Sequence, residues 1–221
     1  MRSPPLLSVE FPVLKSQPMP IPKTKSAIAR AKKIKLLLFD VDGVLTDGKL
    51  YIFPLPAPGQ SSHKDESELG PVLEVKGFHA HDGMGISIAH LAGLKTGLIT
   101  KRVSATVALR GRDLKMEYVR QGKHDKRAAF EEILRESGFS ASEAAYVGDD
   151  VIDLPVMRRC GLAIAVANAR AEVKREAHYV TIHSGGEGAA RDAVEFILKA
   201  QGKWKQIVEQ YIGERSGKSS T

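Results

Sequence analysis

The chain of 221 residues holds one cysteine, Cys160, one tryptophan, Trp204, and no apolar stretch near the roughly 20 residues of a membrane-spanning helix. A lone cysteine excludes an intramolecular disulfide, and nothing pairs with it as a zinc-ligand cluster. A reducing compartment, the cytoplasm, is therefore expected. The first 30 residues are proline-rich and lack a continuous apolar segment of signal-peptide length, so neither secretion nor membrane insertion is expected. Aromatic residues are scarce at 6% and do not interleave with basic ones, which leaves no pattern for nucleic-acid binding. The net charge of +7 is local. Residues 1 to 35 contain eight basic residues and one acid, Glu10, while the remainder balances 25 against 25. The charge thus belongs to an arm and says little about the folded part.

What is present suits one globular domain, with 43% apolar and 27% charged residues. Residues 1–33 read as a basic, proline-rich arm with a short helix over Ser26 to Lys33, 34–203 as the folded domain, and 204–221 as a terminal helix and tail. Strand-like and helix-like segments alternate from Ile34 onward. Strands are expected at 34–39, 94–100, 118–121, 144–147, 162–166 and 179–182. Helices are expected from Asp82, taken as an N-cap, at 103–114, at 124–137 with Ala128, Ala129, Ile133 and Leu134 inward, from Asp150 to Cys160, and at 189–200 and 204–212. Gly138 is a predicted C-cap. This alternation predicts an α/β fold with a doubly wound parallel sheet. Two further strand-like segments, 48–52 and 72–78, are expected to pair as a hairpin insertion over about 48–78, across a loop rich in Pro, Gly and Ser.

Asp40 and Asp42 follow the first strand, with Gly43 freeing the backbone beside them. In open α/β sheets ligands bind at the carboxyl ends of the strands, so this edge is a plausible phosphoryl and metal site. Thr100, Lys126, Asp149 and Asp153 fall after later strands and would converge there. A carboxylate is ionised at pH 7 and can attack phosphorus, a role for Asp40. A second carboxyl two residues on, Asp42, could protonate the leaving alkoxide and later deprotonate water. An anion attacking a phosphate requires cations, and Mg²⁺ fits a carboxylate site of this kind. Asp149 would be a ligand, Asp150 and Asp153 would orient ligands and water, Lys126 would place a fixed positive charge on the phosphoryl oxygens, and Thr100 a hydrogen bond. Each residue alone also reads simply: Thr100 as a strand end, Lys126 as the first turn of a solvated helix, Asp149-Asp150 as an N-cap.

The segments Phe-Asp-Val-Asp-Gly-Val-Leu-Thr-Asp-Gly (39–48), Ile-Thr-Lys-Arg (99–102), Gln-Gly-Lys-His-Asp-Lys (121–126) and Tyr-Val-Gly-Asp-Asp-Val-Ile-Asp-Leu-Pro-Val-Met (146–157) resemble the four motifs of the haloacid dehalogenase-like phosphatases. The likeness is nearest to the 3-deoxy-D-manno-octulosonate 8-phosphate phosphatase branch and covers about residues 28–203. It implies Asp40 as nucleophile, Asp42 as acid and base, Thr100 and Lys126 on the phosphoryl group, and Mg²⁺ held by Asp40, Asp149 and the Asp42 carbonyl. Departures from the branch are Lys101 where glycine is usual, which would put a cation with Arg102 beside the substrate, Glu187 where many members carry arginine, and a longer hairpin connection from Phe53 to Pro71.

Neither gap between motifs can hold a cap domain. The resemblance implies instead a homotetramer in which the hairpin of one subunit lids the site of the next, with Lys76 reaching the neighbour's substrate. The substrate implied is a small phosphorylated sugar acid, of eight or nine carbons. A receiver-type phosphoacceptor and a non-catalytic assembly module stand as alternatives. His79 and His81 lie on one side of an extended segment and read as loop residues in the absence of a third ligand. Gly185-Gly186-Glu187-Gly188 reads as a flap or as the turn before a helix, and Trp204 and Tyr211 as packing or subunit contacts.

Overall fold

A computed structural model of the chain describes residues 24–55 and 71–216. Most of the basic arm, the centre of the Phe53 to Pro71 connection and the last five residues lie outside the described part. The elements run α1 (Thr24–Ala31), β1 (Leu36–Phe39), β2 (Tyr51–Pro54), β3 (Val72–Val75), α2 (Ala80–Leu91), β4 (Lys95–Ile99), α3 (Ala105–Asp113), β5 (Tyr118–Arg120), α4 (Lys126–Ser137), β6 (Ala144–Gly148), α5 (Leu154–Met157), β7 (Leu162–Ala165), α6 (Ala171–Glu176), β8 (Tyr179–Val180), α7 (Ala189–Ala200) and α8 (Trp204–Ser216).

Six strands form one parallel sheet in the order β5-β4-β1-β6-β7-β8, with Leu36 beside Lys95 on one side and Ala144 on the other. Strand β1 is central and wholly buried because its Leu-Leu-Leu-Phe run has helices over both faces, the reason parallel strands read as continuous apolar runs. The chain winds outward from β1 through β4 and β5, then crosses to β6 and winds the other way. The order therefore reverses between β1 and β6, the position at which doubly wound sheets open a crevice at their carboxyl edge. Helix α2 packs on α7, and α1 on α7. Helices α4, α5 and α6 pack in sequence on the opposite face, as right-handed crossovers require. Strands β2 and β3 form the expected antiparallel hairpin, with Ile52 opposite Glu74. Among the described residues no cap domain covers the sheet edge, and no helix is long and apolar enough to cross a membrane.

Local chemistry explains the boundaries. Ser104 caps α3 by accepting the Val107 amide, Asp125 caps α4 by accepting that of Ala128, and Gly138 ends α4 in the left-handed conformation at φ 72°. Four expectations need correction. The N-cap of α2 is His79, not Asp82; Asp82 sits in the first turn, buried, and accepts the Arg191 amide at the start of α7. Ala128 faces outward, and Phe130 takes its place in the core beside Ala129, Ile133 and Leu134. The segment from Asp150 is a 3₁₀ turn over Val151–Asp153 followed by only four α-helical residues, with Pro155 opening that helix. Helix α6, between β7 and β8, has no counterpart in the expected elements.

Phe130→Ala is expected to destabilise the fold by about 3–5 kcal/mol, whereas Ala128→Ser should change it by no more than about 0.5 kcal/mol. Urea denaturation of the two variants checks the assignment of the inward face of α4.

Candidate active site

The carboxyl edge of the sheet gathers the motif residues around a cavity of about 250 Å³ lined by Asp40, Asp42, Thr100, Lys101, Arg102, Asp149, Asp150 and Ile152. Asp40 follows β1 directly, its amide donating to the Val147 carbonyl at 3.0 Å, so the β1–β6 ladder itself fixes where its side chain starts. Thr100 is pinned in the same way at the end of β4, through the Arg120 carbonyl.

Beneath the cavity lies Lys126, the first residue of α4. Its Nζ is 2.8 Å from Asp40 Oδ1 and 2.8 Å from Asp153 Oδ1, and all three side chains are almost fully buried. The Tyr146 hydroxyl donates to the same Asp153 oxygen at 2.8 Å. Asp153 Oδ2 accepts the amides of Asp149 and Asp150 at 3.0 and 3.3 Å. Both oxygens of Asp153 are thus occupied by donors of the protein, and its work is to hold Lys126 and the turn that carries Asp149. Asp149 follows β6 directly, and its tie to Asp153 runs through its backbone amide. Asp150 is exposed and accepts the Val151 amide.

The electrostatics are unbalanced. Burial pushes the Asp40 carboxyl up to about 7, aided by Asp153 and opposed by Lys126. Burial likewise raises Asp149 to about 7, with Asp153 and Asp150 adding to the effect. Burial works against the Lys126 ammonium, but Asp40 and Asp153 outweigh it and hold its pKa above the usual lysine value.

Asp40, Asp149 and Asp153 each offer an oxygen within 4.8 Å of the others, the grouping with metal-compatible spacing among the described residues. Asp149 Oδ1 is buried without any hydrogen-bond partner. An orphaned carboxylate oxygen, two carboxyls raised by burial and by the nearby Asp153, and a donor set made wholly of oxygen suit a hard divalent cation. Because Asp153 is already saturated, Asp40 and Asp149 are the side chains left to bind it.

Two glycines make the cluster possible. Gly43 has φ 93°, and a Cβ there would overlap the Asp149 carboxylate. Gly185 lies flat on the carbonyl of Gly43, while the Gly186 amide donates to the Val44 carbonyl. The Gly-Gly-Glu-Gly segment is therefore a turn seated on the loop after β1. Thr46 locks that loop, its hydroxyl donating to the Val41 carbonyl and accepting the Gly48 amide.

At the mouth, Lys76 is buried rather than exposed, bonded to Asp42 of its own chain and 3.4 Å from Glu74. Arg102 spans Glu74 and Asp42. Lys101 lines the cavity. His79 and His81 stack edge to face, with the His79 ring accepting the His81 amide, which makes them part of a helix start. Trp204 lies under Arg191 and Lys199 as packing between α7 and α8. Sequence reasoning missed Tyr146 and Glu74. A tyrosine inside an otherwise apolar buried strand signals a hidden hydrogen-bond partner, and a single acid in an apolar ribbon signals a charged one.

The fold and this site define a phosphoryl-transfer hydrolase of the doubly wound α/β class. A sequence profile of the haloacid dehalogenase-like hydrolases matches residues 109–191. The chain is 37% identical over 191 residues to the 3-deoxy-D-manno-octulosonate 8-phosphate phosphatase of Escherichia coli, covering 86% of this chain and 93% of that protein. A crystal structure of a probable YrbI family phosphatase from Pseudomonas syringae superposes with TM-score 0.75 at 41% identity, covering 85% of this chain and 98% of that one. Another, of the Moraxella catarrhalis 3-deoxy-D-manno-octulosonate 8-phosphate phosphatase in complex with magnesium, phosphate and 3-deoxy-D-manno-octulosonate (KDO), superposes with TM-score 0.73 at 32% identity, covering 85% and 98%. The chain belongs to the haloacid dehalogenase-like hydrolases, in the branch that contains these phosphatases, and it is a phosphomonoester hydrolase.

The raised carboxyls give a pH signature. Between about pH 4 and pH 7 the folded chain keeps protons on Asp40 and Asp149 that the unfolded chain has released, so these groups make the metal-free fold less stable as pH rises through that window. A cation must displace those protons, and its binding strengthens over the same range. The rise in Tm on adding Mg²⁺ is expected to be larger at pH 8 than at pH 5.5 in thermal melts; equal shifts would contradict the assignment of these carboxyls as ligands.

Proposed function

We propose that the chain is a Mg²⁺-dependent phosphatase of a small phosphorylated sugar acid, with 3-deoxy-D-manno-octulosonate 8-phosphate the leading substrate, working through an aspartyl-phosphate. The observation that carries this reading is the buried Lys126 on Asp40, which fixes one carboxylate at a strand end beside a cation suited to phosphoryl oxygens. The magnesium, phosphate and KDO complex of the Moraxella relative supports the choice of metal and substrate.

Asp40 attacks phosphorus, and the bond from phosphorus to the sugar oxygen breaks. Asp42 gives its proton to that oxygen, then takes one from water. That water attacks the aspartyl-phosphate, freeing Asp40 and inorganic phosphate. Lys126 and Thr100 hold the phosphoryl oxygens in both steps. Asp40, Asp149 and the Asp42 carbonyl would hold Mg²⁺, which would supply the positive charge that lets two anions meet. Asp153 and Tyr146 keep Lys126 aimed, and Arg102, Lys101 and Lys76 face the rest of the substrate.

The hairpin is proposed to pack on a second copy of this chain in a homotetramer and to close that copy's site. Leu50, Tyr51, Ile52, Phe53, Val72 and Leu73 are all exposed on it, an apolar ribbon that two strands alone do not stabilise in water.

Asp40→Asn is expected to lower kcat by at least about 10³-fold on the sugar acid phosphate, with the fold intact by circular dichroism. Chelation should abolish phosphate release and Mg²⁺ restore it; activity that survives either change rules out the mechanism. Sedimentation should give a tetramer, and Leu73→Glu should shift it toward smaller species.

A further inference from the structure

Glu74 is the one charged side chain in the two strands of the hairpin, where its neighbours are apolar. Its Oε1 lies 3.2 Å from Arg102 Nη2 and 3.4 Å from Lys76 Nζ. Lys76 bonds Asp42 Oδ1 in turn, and Arg102 Nε lies 3.8 Å from Asp42 Oδ2. The four side chains close a ring of alternating charge across the mouth of the cavity. The pKa of Glu74 is lowered because burial, which raises it, is outweighed by the influence of Ser104, Arg102 and Lys76.

Two cations at the mouth are more than the phosphoryl group needs, since Lys126 already serves it from below. Among the described residues, the ion pairs of Lys76 and Arg102 are with the acid–base carboxylate Asp42 and with Glu74. We propose that Glu74 stands in for a second anionic group of the substrate: it holds Lys76 and Arg102 ready at the mouth and yields them when a phosphomonoester with a carboxylate tail arrives. This rests on the sugar acid phosphate reading above and adds a competitor that every carboxylate tail must displace to reach the two cations. Each carboxylate-bearing substrate must displace Glu74, so the residue sets a threshold against small anions. It also prevents the two cations from collapsing together onto Asp42. Glu74 is a positioning residue, acting through Lys76 and Arg102.

The test is the ratio of kcat/KM for 3-deoxy-D-manno-octulosonate 8-phosphate to that for p-nitrophenyl phosphate, which has no carboxylate, in the full chain with Mg²⁺. Removing the competing charge in Glu74→Gln should raise this ratio roughly 3- to 10-fold, through KM for the sugar acid, with kcat within about twofold. Glu74→Met, of similar length and suited to an apolar ribbon, should do the same, so that a folding defect in one variant leaves the other. Glu74→Asp keeps the charge and should leave the ratio within about twofold of the wild type. A mere anchor of the hairpin would lower Tm and leave the ratio unmoved, which overturns the proposal, as does a ratio that falls. Wild-type protein that hydrolyses p-nitrophenyl phosphate but no sugar acid phosphate would refute the substrate reading and this inference together. Wild-type activity on the sugar acid with an unmoved ratio in both variants refutes only the role of Glu74.

Discussion

The buried ammonium of Lys126 is the constraint on which the rest depends. It opens helix α4, where the helix dipole is positive and a lysine is out of place. A cation there is tolerated only because Asp40 and Asp153 meet it at 2.8 Å, each from a different element. The strand order brings β1 and β6 side by side, the 3₁₀ turn delivers Asp153, and Tyr146 satisfies the remaining lone pair of the shared oxygen. Local preference is overruled by the site, as it is where a protein spends stability on chemistry.

Charge counting around that lysine leads directly to the metal. One ammonium faces the carboxylates of Asp40, Asp153 and Asp149, which leaves two negative charges in a mostly buried volume. Burial, with the Asp153 charge adding to it, raises Asp40 and Asp149, and the Asp149 oxygen left without a hydrogen-bond donor lies in the same volume. A divalent cation matches it in sign and size, while a monovalent one would leave a carboxylate still repelled. Asp153 is counted in the charge but not in the coordination, because its oxygens already accept from Lys126, Tyr146 and two amides. The same residue can therefore look like a ligand by distance and act as a support by hydrogen bonding.

Much of this was legible in the sequence, and the limits have physical reasons. The apolar run before Asp40 gave the central strand, and the polar groups after successive strands gave the site, because a parallel sheet with right-handed crossovers has few ways to arrange them. Gly138 was readable as a cap because its backbone needs positive φ. Asp82 was misread because N-cap preference is local, whereas this carboxyl serves the start of a different helix, α7. Ala128 was misread because alanine carries little signal about which face it occupies. The contacts of Glu74 and of Lys76 with Asp42 depend on how the hairpin folds back across the sheet edge, which no local pattern encodes.

Size then divides the labour between depth and rim. A cavity of about 250 Å³ is smaller than the roughly 300–1,000 Å³ typical of ligand pockets, enough for a phosphoryl group and its metal but not for a sugar of eight carbons. Most of such a substrate must lie outside the cavity, against the rim. The rim consists of Lys101 and Arg102 after β4 and of Lys76 at the foot of the hairpin. The chemistry is held by buried ion pairs that tolerate little change, whereas on the proposed reading selection of the substrate would fall to long charged side chains and to an apolar ribbon that is exposed among the described residues. Coupling that ribbon to a second copy would bury its apolar residues and cover the rim in one step. Assembly and closure of the site would then share the same free energy, and the fold would need no cap domain to exclude water.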